Sequence, residues 1–278
     1  MTWEFSYVSS KNSSKNHKLV SKKHPIKLNN PILIEGLPGI GNVGKIAADF
    51  MIENTKAKKI YDVFSYKLPN SVFVNEENLV ELPSIELFLK KSKKNDILIL
   101  TGDVQPVQEE ATYEFCDALI ELAKSLGVKQ VITLAGIGLA EEPTKPKVFC
   151  TATSKKIIDE FTKQTTINKE LFTVVGPIIG VSGVLVGMCG KKNIDAVCLL
   201  AQTLGHPTYI GVLGAKELLM ILDKKFHLGL NMKDLDKEIA ELEAEGMLLQ
   251  TKSKKGSSLK KVHSLSQSHS KKETSYIG

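Results

Sequence analysis

Ile32-Leu33-Ile34-Glu35-Gly36-Leu37-Pro38-Gly39-Ile40-Gly41-Asn42-Val43-Gly44-Lys45 is the stretch on which the fold reading turns. A short apolar run follows Pro31, a turn broken by Gly and Pro comes next, and residues 45–52 (KIAADFMI) read as helix. Strand, tight loop and helix in that order make the unit from which α/β proteins are wound.

Outward from it, the same alternation continues. Lys59–Tyr66 alternates polar and apolar side chains and reads as a strand, and Leu79–Leu89 carries further strand-like pattern broken at Pro83. Asp96-Ile97-Leu98-Ile99-Leu100 is the continuous apolar run of a strand covered on both faces, ending at Gly102-Asp103-Val104-Gln105-Pro106. The spacing of Ala111, Phe115, Ala118, Leu119, Leu122 and Leu126 predicts a helix over Val107–Leu126, with Gly127 as its stop. Val131–Leu134 reads as a buried strand ending at Gly136-Ile137-Gly138, and Val148–Ala152 as a further strand, with Ser154 as cap of a helix over Lys155–Thr162. Ile194–Leu200 is strand-like and Ala215–Phe226 helical. The expected fold is α/β, a three-layer α/β/α arrangement around a largely parallel or mixed sheet.

The boundaries expected are a poorly ordered leader over residues 1–30, with an edge strand near Trp3–Val8, and a core domain over residues 31–230. An amphipathic helix follows at residues 231–249 and a disordered Lys/Ser-rich tail at 250–278. The helix carries Leu235, Ile239, Leu242, Gly246 and Leu249 in a narrow seam, with Asn231 and Asp234 at capping-box spacing. Two heptads leave open whether that seam packs on its own domain or on a second subunit.

Leu171–Gly190 has no charged residue and two G-x-x-x-G pairs, yet Pro177 and five glycines divide it into short pieces. It reads as a strand (Phe172–Val175), a turn and a helix (Ser182–Lys192) rather than a membrane span. The N-terminus lacks the basic and apolar regions of a signal peptide. Cys116, Cys150, Cys189 and Cys198 form no C-x-x-C pair, have no His at metal-ligand spacing and lie in apolar surroundings. The expectation is a cytoplasmic protein with no structural zinc. The net charge is +6, and all 37 basic residues are lysine. Without arginine there is no bidentate reader of guanine and no arginine finger, so specific nucleic-acid recognition is disfavoured. The lysine tails leave only salt-dependent, sequence-blind binding.

Chemistry must be weighed at the opening stretch. Gly39, Gly41 and Gly44 form G-x-G-x-x-G between strand and helix, with Asp62 at about the ~20-residue distance of a ribose-binding acid. Gly39, Gly44 and Lys45 also match a P-loop, until Ile46 stands where a Ser or Thr must ligate magnesium. The competing reading is a tight turn that packs helix on strand. Asp103 ends a strand at the edge where open α/β sheets place their sites; a general base there would want a partner acid or His, and Glu109 and Glu110, which open the following helix, are explained by its macrodipole without catalysis. Ser182 reads as a helix cap, and His206, before Pro207, as a turn residue. No catalytic set, cofactor or metal site emerges. A nucleotide-binding enzyme or sensor using Gly39–Lys45 and Asp103 stays as the alternative.

Asn30–Gly44, Gly102-Asp103-Val104-Gln105, Gly136-Ile137-Gly138 and Gly176-Pro177-Ile178-Ile179-Gly180-Val181-Ser182-Gly183, taken in order, resemble the archaeal branch of the proteasome assembly chaperone family. The likeness runs from Asn30 to about Leu230. It implies a nucleoside-phosphorylase-like α/β/α domain without that activity, and homo-oligomers that assist assembly of 20S proteasome α and β subunits without ATP. Such proteins dock on the α-ring through a terminal hydrophobic-Tyr-any-residue motif. Here Tyr276, Ile277 and Gly278 put the tyrosine third from the end, with Ser275 before it, so the terminal carboxylate is displaced by one residue. At Gln202 the family tends to have an acidic residue, which further weakens a catalytic reading.

Overall fold

The computed structural model describes residues 3–8 and 26–239, apart from 164, 173, 175 and 238. The order of elements is β1 (Glu4–Tyr7), β2 (Ile32–Glu35), a 3-10 turn (Ile40–Asn42), α1 (Val43–Thr55), β3 (Lys58–Phe64), β4 (Phe73–Val74) and β5 (Val80–Glu81). There follow β6 (Ile85–Lys90), β7 (Ile97–Gly102), α2 (Glu109–Ser125), β8 (Gln130–Leu139), β9 (Val148–Ala152), α3 (Lys155–Thr162), α4 (Val181–Lys191), β10 (Asp195–Leu204) and α5 (Val212–Phe226).

The apolar run ahead of the glycines is a strand with neighbours on both sides. β2 pairs in parallel with β7 and with β8, all four of its residues are buried, and it sits inside an eight-stranded sheet ordered β1-β3-β6-β7-β2-β8-β10-β9. β8 and β10 extend the parallel part, whereas β1, β3, β6 and β9 join antiparallel. The sheet is therefore mixed, with its parallel strands confined to the centre. That is where helices cover both faces, as parallel pairing requires.

Period-two alternation splits each central strand between two cores. Ile97 and Ile99 of β7 join α1, α3 and α5 on one face, while Leu98 and Leu100 join α2 and α4 on the other. The result is three layers, α/β/α. β1 is the expected N-terminal edge strand; Phe5 and the preceding Trp3 enter the α2 side, where the Trp3 ring packs tilted against Phe115 with centroids 4.7 Å apart.

Several boundaries differ from the sequence reading for packing reasons. β8 runs through Gly136-Ile137-Gly138 to Leu139, because β10 pairs with it in register as far as Leu204. α2 begins at Glu109, not Val107, and α5 at Val212, not Ala215. Phe172 and Val174 lie in turns, not a strand, and Phe172 is exposed. Residues 173 and 175 lie outside the described residues. Ser154 does cap α3, accepting the Ile157 N–H at 3.4 Å.

Residues 232–237 and 239 are helical. Leu235 and Ile239 are buried in the α1–α5 core, and Lys216 pairs with Asp236. This part of the seam packs on its own domain. Asn231 and Asp234 bond side chain to side chain at 2.8 Å rather than forming a reciprocal capping box. Leu242, Gly246, Leu249 and the tail fall outside the described residues. Among the described residues no helix is long and apolar enough to cross a membrane.

Candidate functional site

The loops that follow β2, β7, β8 and β10 meet at the carboxyl edge of the parallel strands, where open α/β sheets place ligands. The glycine loop lies at their centre. Its turn is made by Gly41 at φ 62° and Asn42 at φ 51°, a left-handed pair that favours these residue types.

The packing of the glycines decides between cradle and crossover. A Cβ on Gly44 would lie 2.3 Å from the Leu134 carbonyl oxygen, and one on Gly136 would lie 2.3 Å from that of Ile40. Both are backbone contacts that cannot yield. Gly44 thus lets α1 press directly on β8, and Gly136 lets the 3-10 turn press on the same strand. Nothing lies within 4 Å of a Cβ on Gly39, whose backbone is extended and accepts any residue. Under the loop, the Thr203 hydroxyl is buried without a hydrogen-bond partner, wedged where Cβ atoms on Gly41 or Gly211 would come within 2.7 and 2.6 Å.

The other candidates are engaged inward or held apart. Lys45 does not reach toward the loop; its Nζ pairs with Asp49 at 2.9 Å, and Asp49 accepts from the Thr101 hydroxyl at 2.7 Å. Ile46 packs into the α1 core. Asp62 lies on β3, three strands from β2, and pairs with Lys59, so it is no ribose ligand for the glycine loop. Asp103 accepts from the N–H and the hydroxyl of Ser84 through one oxygen, at 2.9 and 2.8 Å. His206 sits in an exposed turn against Thr208. All four cysteines are buried, and burial pushes the Cys150 thiol up to about 11 and those of Cys189 and Cys198 to about 12. These are inert thiols. Among the described residues no group of three His, Cys, Asp or Glu is placed to hold a metal ion.

Sequence reasoning missed the polar centre of this edge. Glu35, the last residue of β2, is fully buried, and burial pushes its carboxyl up to about 7 despite two hydrogen bonds that oppose the rise. The Leu37 N–H donates to Oε1 at 3.0 Å and the Ser182 hydroxyl to Oε2 at 2.9 Å. Ser182 is therefore not the cap of α4, whose N-cap is Gly180; its backbone carbonyl in turn takes the Thr133 hydroxyl at 3.0 Å. Gln105 ties three loops together, donating to the Pro38 carbonyl at 2.5 Å and accepting from the Val181 N–H at 3.1 Å. A charged residue closing an apolar run was the available signal for Glu35; nothing local marked its partners.

Large apolar side chains also face outward here. Ile40, Val107 and Ile179 protrude from the three loops that Gln105 joins, and β4–β5 forms a separate ribbon with exposed aliphatic side chains.

Comparison with known proteins covers most of the chain. It is similar to the Pyrococcus furiosus protein PbaB, an archaeal proteasome activator, at 28% identity over 84% of this chain and 97% of that one, with a TM-score of 0.73. It also shares its fold with P. furiosus PbaA, an archaeal homolog of proteasome-assembly chaperone, at 23% identity over 83% and 91% of the two chains, TM-score 0.68. An uncharacterized protein of Methanocaldococcus jannaschii is 28% identical over 216 residues, 78% of this chain and 81% of its own. Residues 33–248 match the model of the PAC2 family, and with that match over most of its length the chain belongs to the PAC2 family.

Proposed function

We propose that this protein is a non-enzymatic chaperone that assists assembly of the 20S proteasome by binding its α or β subunits, acting as a homo-oligomer. One observation carries the reading: the polar groups at the centre of the carboxyl edge are bonded within the fold, while three large apolar side chains beside them are exposed. Glu35, Lys45, Asp103 and Gln105 each have partners within the fold. Ile40, Val107 and Ile179 do not. A surface of this kind suits protein contact better than proton transfer. The likeness to an archaeal proteasome activator supports the proteasome as the partner.

A second contact in this proposal uses Tyr276, Ile277 and Gly278 on the α-ring, in a register displaced by one residue. Pull-down against recombinant α and β subunits, with the full chain and with residues 251–278 deleted, tests both parts. Capture of an α subunit that weakens on deletion is expected. Capture of neither subunit by the full chain refutes the function. Capture unchanged by deletion, or by Tyr276→Ala, refutes only the tail contact.

A further inference from the structure

Glu35 is a fully buried acid, and among the described residues no cation pairs with its carboxyl. Its register partners on β7 and β8 are Leu100 and Thr133. Cys116 of α2 and Cys198 of β10 are the titratable groups that face it, and burial keeps both as thiols. The charges of the neighbouring helices are spent elsewhere. On α2, Glu114 turns to Lys67, and Asp117 and Glu121 to Lys192. On α1, Lys45 and Asp49 lie across the sheet, where Asp49 takes the Thr101 hydroxyl.

A neutral carboxyl suits this setting and an ionised one does not. With its proton on, Glu35 donates across 2.9 Å to the Ser182 oxygen, and the Ser182 hydroxyl turns to the Leu134 carbonyl at 3.4 Å. A chain of neutral hydrogen bonds then runs from β2 through α4 to β8. With the proton gone, Ser182 turns back to the carboxylate, Leu134 loses its donor, and a charge sits in an apolar centre without hydration.

The cover over Glu35 has few fastenings. Residues 176–182 run from Gly176, which has open space around it, into the first turn of α4, with Pro177 and Ile179 exposed. Gln105 accepts from the Val181 N–H at 3.1 Å, and Ser182 is bonded to Glu35. Gly180, at φ 91°, comes so near that a Cβ there would lie 2.7 Å from the Gln105 amide oxygen. The loop that bears Gln105 also anchors the β4–β5 arm, since Asp103 holds Ser84 at the root of that arm.

We infer that residues 176–182 form a proton-gated lid, closed while Glu35 keeps its proton and released when that proton leaves to water. The lid carries Ile179, one of the three exposed side chains of the proposed contact surface, so the proton governs how that surface is presented. This consequence rests on the chaperone reading; the lid itself does not. The closed carboxyl titrates at about 7 and the hydrated one at its ordinary 4.5, so opening is independent of pH below about 4.5 and rises until pH passes about 7. Between pH 6 and 8 the open fraction should grow about tenfold.

Amide hydrogen exchange of the full chain at pH 6 and 8, corrected for the intrinsic pH dependence of exchange, tests the lid. In wild type, opening at residues 178–184 should rise about tenfold while β2 and β7 keep their protection. Glu35→Gln should show no rise, and Gln105→Ala should open the segment at both pH values. Equal wild-type protection at the two pH values overturns the proposal, as does a rise that Glu35→Gln retains. A rise shared evenly by β2 and β7 also overturns it, because that reports unfolding rather than a lid. In the unmutated chain, a neutral-carboxyl infrared band should be present at pH 6 and gone at pH 8; its absence at pH 6 overturns the proposal without any variant. Capture of a proteasome subunit that changes between pH 6 and 8 in wild type, and not in Glu35→Gln, supports the link to binding. Capture at neither pH refutes the chaperone reading and leaves the exchange result to judge the lid.

Discussion

The glycine loop and the β4–β5 arm sit on one edge of the same sheet and have opposite relations to their residues. The loop carries the most recognisable pattern in the chain, yet its Gly44 receives backbone from β8 and its lysine turns to Asp49. The arm carries no motif and exposes five aliphatic side chains. A pattern of glycines reports only that backbone must come close; whether the visitor is a phosphate or the protein's own strand depends on what is packed behind. Here Leu134 is packed behind. Exposure, in contrast, has no local signature when strands alternate on both faces.

That contrast can be broken most sharply at the loop. Gly44→Ala drives a Cβ into the Leu134 carbonyl and should cost about 3 kcal/mol or more in urea unfolding. Gly39→Ala, with open space around it, should change stability by less than about 0.5 kcal/mol. Equal tolerance at the two positions would return the loop to the role of a ligand cradle.

Glu35 gives the next largest effect, and it is pH-dependent. Its carboxyl binds a proton more tightly folded than unfolded, so its contribution to stability is complete below about 4.5 and is lost as pH rises through about 7. The shift corresponds to about 3 kcal/mol. Glu35→Gln should flatten that slope and be the more stable protein above pH 7, because Ser182 can turn its hydroxyl to the Leu134 carbonyl at 3.4 Å and accept from the amide. Thermal melts across this range should show the two proteins converging at acid pH; parallel curves would mean that Glu35 ionises freely.

Smaller effects distinguish the arm from the core. Asp103→Ala releases Ser84 and should cost about 1–3 kcal/mol. Amide exchange should accelerate over residues 72–82 while β2 and β7 stay protected. Uniform acceleration would make Asp103 a core residue rather than an anchor of the arm. Lys45→Ala breaks a partly buried i,i+4 ion pair and should cost about 1 kcal/mol or less. Calorimetry with ATP, GTP, NAD and nucleosides should give no heat with wild type. A micromolar affinity lost in Lys45→Ala would instead restore the nucleotide reading.

The central strands and the long helices were legible because their side-chain periods are strong. Ile97–Leu100 is apolar at every position because helices cover both faces, and α2 shows one clear stripe. Strand ends were less legible: β8 runs through Gly136 and Gly138 because β10 supplies hydrogen bonds regardless of side chain. The polar centre was mostly illegible. Glu35 and Ser182 are separated by 147 residues, and a serine two residues into a helix resembles a cap until its partner appears.

By itself, then, the sequence determined the α/β alternation, the burial of the cysteines and the strand-loop-helix unit at residues 32–52, since each follows from local period and composition. Tertiary structure alone decided that the sheet is mixed, that Gly44 meets Leu134 rather than a ligand, that Glu35 is held near neutrality by burial, and that the β4–β5 ribbon stands uncovered. Each of these depends on residues distant in sequence, and no local pattern encodes what a neighbour across the sheet will leave buried or exposed.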